Sequence, residues 1–165
     1  MATTSYAIAL GSNRRHGRHG DPAGVLAAAV AALAAAGLRI EARSPIVRSA
    51  AVGPAGRGFA NAVVIAASPL DPPALLGLLK RIERAFGRRR GRRWGPRVLD
   101  LDIVLWSAGR WPPGPRRAMR GGLAVPHAQL ARRDFVLGPL VRVAAGWREP
   151  WGGRTVRHLR ARMPL

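Results

Sequence analysis

Along residues 4–10, large and small side chains alternate as Tyr6-Ala7-Ile8-Ala9-Leu10, the period of two that belongs to a β-strand. Gly11-Ser12-Asn13 closes that strand in a turn, and a basic, glycine-containing loop runs on to Gly20. The period then lengthens. Leu26, Val30, Leu33 and Gly37 fall at i, i+4, i+7 and i+11, which is one face of a helix. Asp21 is its N-cap, Pro22 its first-turn proline and Gly37 its stop. Residues 38–48 and 60–67 read as two further strands, and the Gly/Ala/Pro-rich stretch 49–58 between them as a long mobile loop. A second helix repeats the signals of the first: Asp71 caps it, Pro72 and Pro73 open it, Leu75, Leu79, Ile82 and Phe86 form its buried stripe, and Gly87 ends it. Residues 88–93 are too charged to pack. A strand follows over 98–106, then a Pro/Gly/Arg loop over 109–122, then shorter helices within 129–145 and 155–162. The order predicts an α+β fold with a ferredoxin-like βαββαβ core. That core is an antiparallel sheet with two helices on one face, extended by a mixed C-terminal segment, in one domain over residues 1–165. Many functions share this arrangement, so the site must decide.

The chain has 165 residues, enough for one core and too few for a (β/α)₈ barrel, which needs roughly 250. Cysteine is absent, which removes thiol nucleophiles, Cys-ligated zinc and iron–sulfur clusters together. The net charge of +20, from 28 Lys plus Arg against 8 Asp plus Glu, favours anionic partners. Lys80 is the one lysine, and Ala, Gly and Pro abound, a usage that a GC-rich genome imposes by codon choice alone. The distribution of the arginines therefore says more than their number. The longest apolar run, 25–37, falls short of the roughly 20 residues a membrane span needs. No basic segment precedes an apolar stretch at the N-terminus, so neither a signal peptide nor a membrane partner is expected, and a cytoplasmic location is.

Three constellations carry chemistry. In Leu99-Asp100-Leu101-Asp102-Ile103-Val104-Leu105, strand alternation puts Leu99, Leu101, Ile103 and Leu105 on one face and both aspartates on the other. Two adjacent carboxylates repel, and a divalent cation such as Mg²⁺ removes that cost with one or two carboxylates, water and substrate phosphate as ligands. An edge strand with its polar face in water produces the same pattern. Second, Arg88, Arg90, Arg92, Arg93 and Arg97 crowd into ten residues around Trp94. Guanidinium groups grip phosphate in a bidentate manner, and an indole stacks on a base or flat heterocycle. A solvated basic loop or a nonspecific RNA patch fits those residues equally well. Third, Val125-Pro126-His127 precedes Arg133 and Phe135. His16, His19 and His158 suggest no role. There is no Walker A loop, no H-E-x-x-H and no protein-kinase signature.

Read together, these segments resemble the 6-hydroxymethyl-7,8-dihydropterin pyrophosphokinases of folate biosynthesis. The resemblance runs from the first strand to about Leu140. It rests on Ala9-Leu10-Gly11-Ser12-Asn13, Phe59-Ala60-Asn61-Ala62-Val63, Arg81-Ile82-Glu83, Gly87-Arg88, the run from Arg93-Trp94-Gly95-Pro96-Arg97 to Asp100-Leu101-Asp102-Ile103, and Val125-Pro126-His127 with Arg133 and Phe135-Val136-Leu137. It implies transfer of pyrophosphate from ATP to the pterin hydroxymethyl group, with release of AMP. By resemblance, Asp100 and Asp102 hold two Mg²⁺ ions in an in-line displacement. Arg88 and Arg97 stabilise the transferring phosphates, making these four the catalytic set. Glu83, Arg90, Ile103, His127 and Arg133 join Arg88 and Arg97 in binding ATP. The pterin lies against Phe59 or Phe135, is read by Asn61, is bordered by Ser49, Ala50 and Val52, and is closed over by Trp94. Segments 49–58 and 88–97 are lids that exclude water. A monomer with no nucleic-acid partner is implied. Ser49-Ala50-Ala51 stands where well-known members carry Thr-Pro-Pro, and Gly122 and Ala124 replace an arginine and a hydroxyl residue ahead of the Pro-His step.

A small basic RNA-binding module on the same fold accounts for the charge and the element order. It does not account for two carboxylates facing one way beside the arginines, and its sheet lacks the aromatic run such modules use. Mg²⁺-dependent ATP binding separates the two.

Overall fold

The computed structural model describes residues 2–49, 58–87, 98–115 and 122–164. Its sheet is antiparallel throughout. It is built from β1 (Thr4–Ser12), β2 (Arg39–Arg43), β3 (Val47–Ser49), β4 (Phe59–Ser68) and β5 (Asp100–Trp106) in the order β2-β4-β1-β5, with β3 also on β4. Helices α1 (Pro22–Ala35) and α2 (Pro72–Ala85) are the two crossover elements, so the ferredoxin-like order holds. Both begin alike. The carboxylates of Asp21 and Asp71 accept from the amides of Gly24 and Ala74 at 2.9 Å, with proline in the first turn. Both end on a glycine at positive φ, Gly37 at 101° and Gly87 at 100°.

Residues 38–48 do not form one strand. Pro45 has no amide to donate, and the ladder breaks there between β2 and β3. Ser44 bridges the gap: its amide donates to the Val63 carbonyl, and its buried hydroxyl accepts from the Val63 amide, both at 2.9 Å.

The sheet is covered on both faces. On one, Tyr6, Ile8 and Leu10 of β1 and Leu99, Leu101 and Ile103 pack against Leu26 and Leu33 of α1 and Leu75, Leu79 and Ile82 of α2. On the other, Ala7, Val63, Ile65, Val104 and Leu105 pack against α3 (Asp134–Ala144) and α4 (Val156–Ala161) through Val136, Leu137, Leu140 and Leu159. The C-terminal extension thus supplies the second layer of helices. Leu105 departs from its expected face. The β1–β5 register shifts between Ala7, opposite Leu105, and Ile8, opposite Ile103, so Val104 is an extra residue. A bulge of this kind turns two successive side chains the same way, and Val104 and Leu105 both enter the second core. Among the described residues, no helix is long and apolar enough to cross a membrane.

Candidate active site

The second face of the sheet changes character along its strands. In the row Ile65–Ala7–Leu105, all three side chains are buried under α3. Two residues along β4 and β1, and three along β5 because of the bulge, the row is Val63–Ala9–Asp102, and the next is Asn61–Gly11–Asp100. Phe59 stands at the rim. Past the end of α3 the sheet opens into a cavity of about 490 Å³, and Phe59, Asn61, Asp100, Asp102, Arg133 and Phe135 all line it. Six of the residues expected from sequence are brought together there, contributed by β4, β5, α3 and the residue preceding α3.

Their surroundings say what each can do. Phe59 and Phe135 are two of only three exposed large hydrophobic residues among those described, at 45 % and 52 %. Apolar rings left uncovered in a cavity suit a flat ligand that stacks on them. The amide of Asn61 offers one acceptor and two donors to a ring edge. The Arg133 guanidinium lies 3.6 Å from the Asp102 carboxylate and over the Phe135 ring, and it donates to the side-chain Oε1 of Gln129 at 3.2 Å. Asp102 thus presents its carboxylate on the cavity side and draws positive charge to it. Two carboxylates of alternate strand residues, with no third protein ligand clustered beside them among the described residues, fit Mg²⁺ that completes its octahedron with water and phosphate.

Gly11 is a site residue that the sequence reading left in a turn. It lies in β1 opposite Asn61 on one side and Asp100 on the other. A Cβ there would stand 3.2 Å from Asn61 Oδ1. The absence of a side chain keeps the cavity floor open between the Asn61 amide and the Asp100 carboxylate. The available signal was a glycine within a strand pattern, which marks close approach of another group. Ser12, buried at 3 %, and Asn13 also line the cavity; the sequence marks them as part of the Gly-Ser-Asn motif but gives them no site role.

Other expected site residues lie elsewhere. Ile103 packs its side chain into the core at 3 % exposure, so it has no side-chain surface for ATP. Glu83 is buried at 1 %, its Oε1 accepting from the Leu101 amide at 2.9 Å. Ser49 lines a neighbouring cavity of about 510 Å³, together with Arg14, Arg15 and Arg48, that shares Asn13 and Phe59 with the first. His127 lines a third, of about 210 Å³, with Trp151 and Arg154. Its amide donates to the Val104 carbonyl at 3.0 Å and its Nδ1 accepts from the Gln129 amide at 3.1 Å. Burial, and after it the nearby Arg133 charge, hold the His127 imidazole below its ordinary pKa against an opposing pull from Asp102. Ala50, Val52, Arg88, Arg90, Trp94 and Arg97 lie outside the described residues.

Comparison with known proteins shows which family and which fold this chain shares. The family described as 7,8-dihydro-6-hydroxymethylpterin-pyrophosphokinase (HPPK) matches residues 7–145. A 2-amino-4-hydroxy-6-hydroxymethyldihydropteridine pyrophosphokinase of Synechocystis sp. is 40 % identical over 135 residues, 81 % of this chain and 66 % of the relative. One of the same name from Methylorubrum extorquens is 38 % identical over 163 residues, 98 % of this chain and 94 % of the relative. Among solved structures, Plasmodium falciparum HPPK-DHPS with pteroate superposes with a TM-score of 0.67 over 97 % of this chain at 13 % identity, a likeness of fold alone. This chain therefore spans slightly less than two thirds of the Synechocystis relative and 42 % of the Plasmodium chain.

Proposed function

The chain belongs to the 7,8-dihydro-6-hydroxymethylpterin-pyrophosphokinase family, ATP-dependent diphosphotransferases of folate biosynthesis. From that premise we propose that residues 1–165 act as one pyrophosphokinase domain, a cytoplasmic monomer taking ATP and 6-hydroxymethyl-7,8-dihydropterin. The hydroxymethyl oxygen attacks the β-phosphorus of ATP, the bond from that phosphorus to the α-phosphate oxygen breaks, AMP departs, and the hydroxyl proton passes to solvent. The observation that carries this reading is the single cavity in which two aspartates face two exposed phenylalanines and an asparagine amide.

Phe59 and Phe135 orient the pterin plane, and Asn61 reads its ring edge over the open floor at Gly11. Asp100 and Asp102 hold two Mg²⁺ ions, which when bound supply positive charge to the triphosphate and ease loss of the hydroxyl proton. Arg133, close to Asp102, is poised to exchange the carboxylate for a phosphate oxygen. Arg88 and Arg97 stabilise charge on the transferring phosphates, Arg90 and His127 bind ATP, and Trp94 closes over the pterin pocket. Ser49, Ala50 and Val52 border that pocket, and segments 49–58 and 88–97 exclude water once both substrates are bound. These last assignments rest on the sequence resemblance.

The test is AMP release from ATP and Mg²⁺, with and without 6-hydroxymethyl-7,8-dihydropterin. AMP that appears only with the pterin is the expected outcome. No AMP from a folded sample would overturn the reading, and salt-sensitive RNA binding by that sample would favour the RNA-binding alternative.

A further inference from the structure

The strand that bears both aspartates is the last of the sheet: β5 pairs with β1 on one side and with no other strand among the described residues. Its outer edge still needs acceptors, because a buried amide left unpaired is costly. The Leu101 amide, on the residue between Asp100 and Asp102, finds its acceptor in a side chain. Glu83, in the last turn of α2, directs Oε1 at that amide at 2.9 Å, and Lys80 places its ammonium 3.3 Å from Glu83 Oε2.

A carboxylate this deeply buried is costly to desolvate, even with the Leu101 amide and the Lys80 ammonium beside it. Glu83 is 1 % exposed and sits near the C-terminal end of its helix, where the helix dipole disfavours negative charge. The charge lies against the strand that carries both aspartates, hydrogen-bonded to the residue between them. We propose that Glu83 is a positioning residue for the Asp100–Asp102 pair. It clamps β5 from the side opposite β1, so that both carboxylates keep one orientation toward the cavity, and its charge strengthens their hold on a divalent cation. This rests on the reading of Asp100 and Asp102 as cation ligands. It assigns Glu83 to the strand that carries those ligands and not to ATP itself. Outer partners of this kind typically change metal affinity 10- to 100-fold when removed.

The test uses the full chain in three variants, E83A, E83D and E83Q, with two readouts besides turnover. These are amide hydrogen exchange at Leu101, and the affinity of the protein–ATP complex for Mn²⁺ read by electron paramagnetic resonance. E83A removes the acceptor. It is expected to speed Leu101 exchange at least 10-fold over the remaining β5 amides and to weaken Mn²⁺ binding roughly 10- to 100-fold. Its kcat should fall most at limiting Mg²⁺ and recover in part as Mg²⁺ is raised. E83D keeps the charge but withdraws it by one methylene, and it should follow E83A in both readouts. E83Q keeps an acceptor of the same reach, so Leu101 stays protected, and Mn²⁺ affinity falls by less than in either other variant. If E83A does not fold, E83D and E83Q decide alone. Leu101 exchange and Mn²⁺ affinity both unchanged in folded E83D would overturn the proposal. So would an E83Q protein that loses ATP affinity with Leu101 protection and Mn²⁺ affinity intact, because Glu83 would then act on the nucleotide directly. A wild-type complex that holds no Mn²⁺ removes the cation reading itself, a different failure visible before any variant is made.

Discussion

The two faces of the sheet use the same three strands to opposite ends. Toward α1 and α2 the inward positions are apolar through the middle of the strands, Tyr6, Ile8 and Leu10 on β1 matched by Leu99, Leu101 and Ile103 on and just before β5, with buried Ser12 and Ser68 only at the strand ends. Toward α3 the apolar cover stops partway. Ile65, Ala7 and Leu105 are buried, whereas Asn61, Gly11 and Asp100, four residues further along each of β4 and β1, floor a cavity. Burial through the middle of the strands makes the first face chiefly a source of stability. The second face gives up part of that burial, and the chemistry occupies the ground released. The bulge at Val104 marks the changeover on β5, since it returns two apolar side chains to the core immediately after the aspartates.

Adjacent residues of β5 break this comparison most sharply. Asp102→Ala removes a half-exposed carboxylate whose ion pair with Arg133 contributes about 0–1 kcal/mol to stability. Turnover should fall on the order of 10³-fold, equivalent to about 4 kcal/mol in the barrier, with the thermal midpoint scarcely moved. A folded D102A protein with near-normal turnover would remove Asp102 from the site. Ile103→Ala should do the reverse. Emptying a fully packed position costs about 2–5 kcal/mol, which in a chain of this size lowers the melting temperature by on the order of 10 °C. The KM for ATP should hold steady in the protein that remains folded. A raised KM with an unchanged melting temperature would return the Ile103 side chain to the nucleotide site.

What could be read along the chain was local. The helix limits are set by Asp-Pro openings and glycine stops, which act within one turn, and Asp100 and Asp102 were placed on one face by alternation alone. What could not be read needed a second strand or a third element. The bulge at Val104 exists only relative to the β1 register, so Leu105 was assigned to the wrong face. The burial of Glu83 depends on α2 packing against the sheet, which its own position does not reveal. Ile103 was on the apolar face by alternation, and only the family resemblance linked it to ATP. Pro45 did carry a local warning of the break between β2 and β3, which outweighs the apolar pattern around it. His127 and Arg133 were legible as basic residues near the site. That they border different cavities followed only from the turn between them.

Gly11 sharpens the comparison at smaller scale, because its strand neighbour Leu10 serves the first face and Gly11 the second. Gly11→Ala places a methyl group 3.2 Å from Asn61 Oδ1, so the asparagine must give way by a few tenths of an ångström. Crowding of this order costs about 1–3 kcal/mol, read here as a roughly tenfold rise in the pterin KM with the ATP KM steady. A larger rise for ATP than for the pterin would mean that the floor between Asn61 and Asp100 belongs to the nucleotide.

The smallest effect expected is one of pH, and it lies at the margin of the second face. Burial and the Arg133 charge hold the folded-state pKa of His127 below its value of about 6.5 in an unfolded chain. Above that pH the imidazole is neutral in both states and contributes no pH dependence. As the pH falls below it, the unfolded chain takes up the proton first, so unfolding is favoured and stability drops until the folded-state pKa is passed. His127 therefore costs stability on acidification. His127→Gln removes the titration, and the melting temperature of the variant should fall less than that of wild type between pH 7 and pH 5. A steeper fall in the variant would mean that His127 is protonated in the fold and paired there with Asp102. In that case the charge balance between Arg133 and Asp102 runs opposite to the one that burial and Arg133 impose.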